Sequence, residues 1–185
     1  MPEIRRRTPE ELLREVQAEE ARVTRGRLKI FLGYASGVGK SFRMLDEARR
    51  RRERGQDVVV GAIQPKAPPE VESLLRKLEI VPLTGTGQES AMDMEALLRR
   101  RPAVCFIDGL AYDNPPGQRN PTRWQDAEQL RNAGISVISS INIQYVTELA
   151  QQVEAITGKH VAQTVPVAFI KSADEIERAS CRERV

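Results

Sequence analysis

The chain has 185 residues, of which 40% are hydrophobic, 30% charged and 4% aromatic, with a formal net charge of +3. That length suits one α/β domain, the mild positive balance is too small to argue for a nucleic-acid partner, and no apolar run approaches the roughly 18–20 residues of a membrane span. Two cysteines and a single histidine exclude a disulfide framework and a multi-histidine metal centre.

In chain order, Met1-Pro2-Glu3-Ile4-Arg5-Arg6-Arg7 lacks the apolar core of a signal peptide, so a cytoplasmic chain is expected. Thr8-Pro9-Glu10-Glu11 is a capping box. It opens an amphipathic helix to about Val23 that carries Leu12, Leu13, Val16 and Ala21. A strand over Leu28–Leu32 leads into a glycine-containing loop, and a helix over Ser41–Arg54 stops at Gly55. The arginines that close this helix complement its macrodipole. No aromatic residues interleave with them to stack bases, so nucleic acid is not the expected partner.

Val58–Ile63 reads as a strand buried on both faces. After the loop Gln64-Pro65-Lys66-Ala67-Pro68-Pro69 come a short helix over Glu70–Leu78, a short strand over Ile80–Leu83 and a connector to Ser90. Asp93 caps a helix that ends before Pro102. Next are a strand over Ala103–Ile107, a Gly/Pro-rich loop from Gly109 to Asn120, and a helix opened by Asn120-Pro121. A strand over Ile135–Ile141, a helix over Tyr145–Thr157, a last strand over Val161–Val165 and a helical turn from Ser172 complete the reading. Cys105 is a small hydrophobe within its strand, and Cys181 lies in a polar tail. Alternating strands and helices predict an α/β, P-loop NTPase-like three-layer fold with a mainly parallel sheet. Residues 1–26 form the lead-in, 27–178 the nucleotide-binding domain and 179–185 the tail.

The chemistry concentrates at Gly37-Val38-Gly39-Lys40-Ser41, between a strand and a helix N-terminus. Glycines let backbone N–H groups turn inward around phosphates, the lysine adds a positive charge, and the serine hydroxyl is a Mg²⁺ ligand. In the pattern G-x-x-x-x-G-K-[ST] the first glycine falls at Tyr34, with Gly33 one residue early. That aromatic ring either alters the turn or stands near the nucleotide. Asp108 follows the apolar run Ala103–Ile107, at the carboxyl edge where ligands bind in open α/β sheets. It reads as the magnesium-side carboxylate, usually acting through water, with a turn aspartate as the alternative. The expected ATP-binding set is Gly37, Val38, Gly39, Lys40, Ser41, Phe42 and Asn142, and the expected Mg²⁺ set is Ser41 and Asp108. A glutamate directly after the strand-end aspartate often orients water, but Gly109 stands there, which leaves Asp113 as the candidate catalytic group. Asn142 and Gln144 either sense a terminal phosphate or cap the next helix. Arg119 and Arg123 either reach phosphates or face water, and Trp124 is a packing anchor.

With these motifs in place, the chain resembles the KdpD family of osmosensitive potassium-channel sensor histidine kinases, in its N-terminal cytoplasmic domain. The resemblance rests on Arg25-Gly26-Arg27-Leu28-Lys29-Ile30-Phe31-Leu32-Gly33, the phosphate loop, Val58-Val59-Val60-Gly61, Asn114-Pro115-Pro116-Gly117 and Arg123-Trp124-Gln125-Asp126. Asn142-Ile143-Gln144 and Thr164-Val165-Pro166 extend it over roughly residues 8–178. It implies an ATP-binding domain that tunes the kinase-to-phosphatase balance of a two-component sensor, with a sensor kinase or other signalling protein as partner. The family pattern has Asp-Glu where this chain has Asp108-Gly109, and histidines where Tyr112, Asn120 and Tyr145 stand. Its Glu-Thr-His-Gly loop is replaced by Gln64-Pro65-Lys66-Ala67. Groups that hydrolysis would draw on are therefore missing, while the binding set is retained.

No phospho-acceptor segment or kinase ATP-lid glycine box is found, so either a stand-alone short form or one piece of a longer sensor is expected, without direct membrane insertion. The leading expectation is a regulatory module that answers to Mg·ATP occupancy. The alternative is a P-loop enzyme, either a slow ATPase or a small-molecule phosphotransferase.

Overall fold

Short runs of Val, Ile and Phe become the inner strands of one parallel sheet. The computed structural model describes residues 8–10, 12–13, 24–34, 37–64, 68–158 and 160–179. Among these, β1 is Leu28–Gly33, β2 Val58–Ala62, β3 Glu79–Ile80, β4 Val104–Ile107, β5 Ser136–Asn142 and β6 Glu175–Ala179. Their spatial order is β3-β2-β4-β5-β1-β6, and every neighbouring pair is parallel. The helices are α1 (Lys40–Glu53), α2 (Pro69–Leu75), α3 (Met94–Arg100), α4 (Arg123–Asn132), α5 (Thr147–Thr157) and α6 (Val167–Lys171).

Alternation along the strands assigns the two faces. Phe31, Val58, Val60, Val104, Phe106 and Ile138 pack against Met44, Leu45 and Ala48 of α1 and Val71 and Leu74 of α2. Leu28, Ile30, Val59, Cys105, Ile107 and Val137 face the other way, toward Leu97 of α3, Ala127 and Leu130 of α4, and Phe169 and Ile170 of α6. The result is the three-layer α/β arrangement predicted from the alternation. Burial pushes the Cys105 thiol up to about 12, so it packs as a hydrophobe. Trp124 anchors α4 on α6, with its ring 5.3 Å from that of Phe169.

The C-terminal third departs from expectation. Val161–Val165 forms no strand; Val165 alone bridges Val146. The predicted helical turn at Ser172 is the end of α6, and the chain then runs as β6 along β1. This edge strand is held by charge. Lys29 of β1 lies within 3.0 Å of carboxylate oxygens of Glu47, Glu175 and Glu177. Burial alone would lower the Lys29 pKa, but hydrogen bonds to those three carboxylates outweigh it and hold the pKa above its usual value. Smaller shifts occur elsewhere. The third strand is Glu79–Ile80, α4 begins after a Thr122–Gln125 capping box, and a 3₁₀ turn over Ile143–Tyr145 precedes α5. Most of the expected N-terminal helix, and the tail with Cys181, lie outside the described residues.

One glycine shows how tightly the sheet base is built. A Cβ on Gly26 would stand 2.1 Å from the Ile135 carbonyl oxygen and 2.3 Å from its carbon. Gly26 also donates its N–H to the Arg131 carbonyl at 2.8 Å, so the backbone cannot retreat. Gly26→Ala is expected to cost about 3 kcal/mol, the upper end of overpacking penalties. Thermal unfolding followed by circular dichroism should then show Tm lower by about 6–12 °C. An unchanged Tm would mean this approach is not so close.

Candidate functional site

The same alternation that builds the core delivers polar groups to one spot. On β5, Ile138 faces α1, so Ser140 and Asn142 face α1 too, further along the strand. Register pairs Phe31 with Ser140 and Gly33 with Asn142. On β4, Phe106 faces α1, and Asp108 continues that row just past the strand. Gly33, Asn142, Ser140 and Asp108 thus line the carboxyl edge of the sheet, opposite the N-terminus of α1.

Asp108 is 1% exposed and has two hydroxyl donors. Ser140 Oγ donates to its Oδ1 at 2.5 Å, and Ser41 Oγ donates to its Oδ2 at 2.7 Å. The backbone behind the carboxylate is also fixed. Gly109 N–H donates to Ser140 Oγ at 3.2 Å, and Leu110 N–H to the Ser140 carbonyl at 3.1 Å.

Before α1 the chain turns through Gly37 at φ 82° and Gly39 at φ 78°, conformations that glycine adopts without strain. Among the described residues a Cβ on either would meet nothing within 4 Å. The first turn of α1 contains no acidic residue, leaving its N–H groups and the positive end of its dipole to an anion. Lys40 is 7% exposed and lies across the end of β1. A Cβ on Gly33 would stand 2.7 Å from Lys40 Cδ and 2.8 Å from Nζ. Burial pushes the Lys40 ammonium below its usual pKa, and attraction to Asp108 pulls it back.

Two cavities meet at Lys40. The larger, about 520 Å³, is lined by Gly37, Gly39, Lys40, Ser41, Phe42, Gln64, Pro68, Glu70, Val71 and Asn142. The smaller, about 150 Å³, lies between Lys40, Gly109–Tyr112, Ser140–Asn142, Tyr145, Gln64 and Gln163. Of the expected binding set, Gly37, Gly39, Lys40, Ser41, Phe42 and Asn142 therefore converge. Val38 is half-buried and turned toward Gly33 instead. The Tyr34 ring is 61% exposed, so it does not fill the turn. Ala35 and Ser36, like Pro65–Ala67, lie outside the described residues. Asp113 lines neither cavity; it is exposed, and its backbone bridges Thr122. Gln144 also lies outside both linings. Arg123 neither reaches toward the phosphate loop nor faces water. It is buried against the carbonyls of Asp108 and Gly109.

Sequence reasoning missed Ser140, Gly33 and Gln64. Counting in twos from Ile138 would have found Ser140, since it lands on Ser140 and then Asn142.

A hydroxyl and a carboxylate converging beside a glycine turn suit a hard, oxygen-loving cation carried in by phosphates. Among the described residues no cluster of three or more His, Cys, Asp or Glu could hold a metal alone. The Ser41 hydroxyl and the Asp108 carboxylate are oxygen donors of the kind Mg²⁺ takes.

Comparison with known proteins identifies the family of the chain. The family model for the osmosensitive K⁺ channel His kinase sensor domain, KdpD, matches residues 24–182. Sensor protein KdpD of Mycobacterium tuberculosis (strain H37Rv) is 42% identical over 163 residues, which is 86% of this chain and 19% of that protein. Sensor protein KdpD of Escherichia coli (strain K12) is 40% identical over 172 residues, 91% of this chain and 19% of that protein. The chain thus spans about a fifth of the length of these curated relatives. Among solved structures, the flagellar accessory protein FlaH from Methanocaldococcus jannaschii aligns with a TM-score of 0.51 at 13% identity, covering 84% of this chain and 71% of that one. At such identity the likeness concerns fold alone. The fold is α/β and P-loop NTPase-like. Among the described residues no helix is long and apolar enough to cross a membrane.

Proposed function

The chain belongs to the KdpD family of osmosensitive K⁺ channel His kinase sensor domains, and from that membership we propose that it is a regulatory Mg·ATP-binding module of a potassium or osmotic two-component sensor. The observation that carries this reading is the 2.7 Å contact between Ser41 Oγ and Asp108 Oδ2 at the mouth of the glycine turn. The amides of Gly37–Ser41 and the Lys40 ammonium would hold the phosphates, and Ser41 with Asp108 would hold Mg²⁺. Bound there, the ion would neutralise charge on the terminal phosphates. Asn142 and Gln64, which line both cavities, would hydrogen-bond the outer phosphate.

Regulation is favoured over turnover by the walls of the smaller cavity. Among the described residues these offer, beside Lys40, amides, phenols and hydroxyls from Gln64, Tyr112, Ser140, Asn142, Tyr145 and Gln163 and no imidazole or carboxylate; the Glu70 carboxylate lines only the larger cavity. Gly109 cannot simply be exchanged for a glutamate. Its φ is +81°, and a Cβ there would stand 2.6 Å from the Tyr112 ring. The occupied and empty states would differ around Gly109–Asn120, and a sensor kinase or other signalling protein would read the difference.

Calorimetric titration of Mg·ATP, Mg·ADP and AMP, with steady-state phosphate release measured on the same sample, tests this. Saturable ATP binding, weaker ADP binding and turnover below about one per minute are expected. Rapid turnover abolished by Asp113→Asn would establish the P-loop enzyme reading instead.

A further inference from the structure

Arg123 is the first residue of α4 and is only 7% exposed. Its Nη1 donates to the Asp108 carbonyl at 3.1 Å and to the Gly109 carbonyl at 3.3 Å. The guanidinium carbon lies 4.6 Å from the centroid of the Tyr112 ring. Its Nε has no hydrogen-bond partner among the described residues. Burial pulls its pKa below the usual value, against the opposing charge interactions with Tyr112, Asp108 and Asp126.

This is a costly way to satisfy two carbonyls. Desolvating a guanidinium carries a large penalty, whereas a neutral amide could cap the same oxygens without it. The placement has a geometric consequence. At Gly109 the chain leaves β4 with φ +81°, so the Asp108 and Gly109 carbonyls point away from the sheet ladder and need donors. Arg123 holds both from behind, and Ser140 and Ser41 hold the carboxylate in front. Tyr112 packs on the guanidinium and against the Gly109 backbone, closing the arrangement.

We infer that Arg123, clamped by Tyr112, is a positioning residue for the magnesium-side carboxylate: it fixes the Asp108–Gly109 peptide and so aims Asp108 at the ion that accompanies the nucleotide. The inference rests on the Mg·ATP reading given above. The same turn of α4 carries Asp126, which accepts from Asn114 Nδ2 at 2.6 Å and Asn120 Nδ2 at 2.8 Å. A shift of the strand end would therefore reach the outer loop through α4.

The test is the Mg²⁺ dependence of ATP affinity in the whole chain, titrated with excess Mg²⁺ and with EDTA, alongside thermal unfolding. Arg123→Lys keeps the charge but loses the fork and the stacking. It should weaken Mg·ATP binding by about 10–100-fold, as expected for a charge-assisted hydrogen bond. Metal-free ATP affinity should change less than about 3-fold, because the hydrogen bonds of the Arg123 side chain among the described residues go to the Asp108 and Gly109 carbonyls and none goes to the phosphate loop. Tyr112→Ala, at a partly exposed position, should shift the same ratio by about 3–10-fold, and Tyr112→Phe should recover most of that loss. If Arg123→Lys fails to fold, the Tyr112 pair decides. A fall of both affinities together, or no change in either, in variants that keep the wild-type Tm would overturn the inference. Absence of any ATP binding by the wild type would overturn the Mg·ATP reading as well, whereas wild-type binding with an unmoved Mg²⁺ dependence in the variants removes this inference alone.

Discussion

Lys40→Ala is expected to weaken Mg·ATP binding by about 30- to 4,000-fold, the range for truncating one partner of a buried charged contact. Lys40 is 7% exposed, and its ammonium is pulled below its ordinary pKa by burial, with Asp108 only partly restoring it. An arriving triphosphate adds negative charge beside this buried cation, so part of the cost of keeping it there is offset on binding. Alanine removes that gain and also leaves the gap over Gly33 that the lysine stem fills. Stability should behave differently from affinity. In the absence of added nucleotide, removing this buried cation is expected to move Tm by no more than about 3 °C. Titration and unfolding of the same preparation therefore separate a binding defect from a folding defect. Unchanged ATP affinity would remove Lys40 from the site and overturn the nucleotide reading.

What could be seen in the sequence followed from periodicity. The inner strands are dense in Val, Ile and Phe, and their order with the helices is local information. The phosphate turn was legible because Gly37, Gly39 and Lys40 sit at fixed offsets from a strand. The glycine one residue early, Gly33, was less so. Its use is not in the turn but under the Lys40 stem, a contact that depends on where the side chain lies after the helix begins.

The end of the chain was misread for a related reason. Val161 and Val165 look like strand residues, yet only Val165 pairs, in a single bridge to Val146. Glu175-Ile176-Glu177-Arg178-Ala179 looks too polar for a strand, and it pairs with β1 because Lys29 gathers its carboxylates. That attraction joins residues far apart in the chain, and no local pattern announces it. Arg123 was opaque in the same way. An arginine in the first turn of a helix normally faces water, and only the carbonyls turned outward by Gly109 give it a reason to be buried.

Asp108→Asn should separate the ion from the nucleotide. The substitution keeps shape. The amide oxygen can still accept from Ser140 Oγ, and the amide nitrogen can donate to Ser41 Oγ, so the local hydrogen bonds survive with one direction reversed. What disappears is the negative charge. If Asp108 acts on Mg²⁺ through water, its loss should weaken Mg·ATP binding by about 10–100-fold, the usual consequence of removing an outer-sphere partner of a metal. In EDTA the sign should reverse. Without the ion, a carboxylate beside the phosphates is repulsive, so metal-free ATP should bind the variant as well as or better than the wild type. The ratio of the two affinities is the quantity to measure, because a general disturbance of the site would lower both. Should that ratio stay at its wild-type value, the aspartate is a structural acceptor for Ser41 and Ser140 and nothing more. The cation would then have to be held by Ser41 and the phosphates without it.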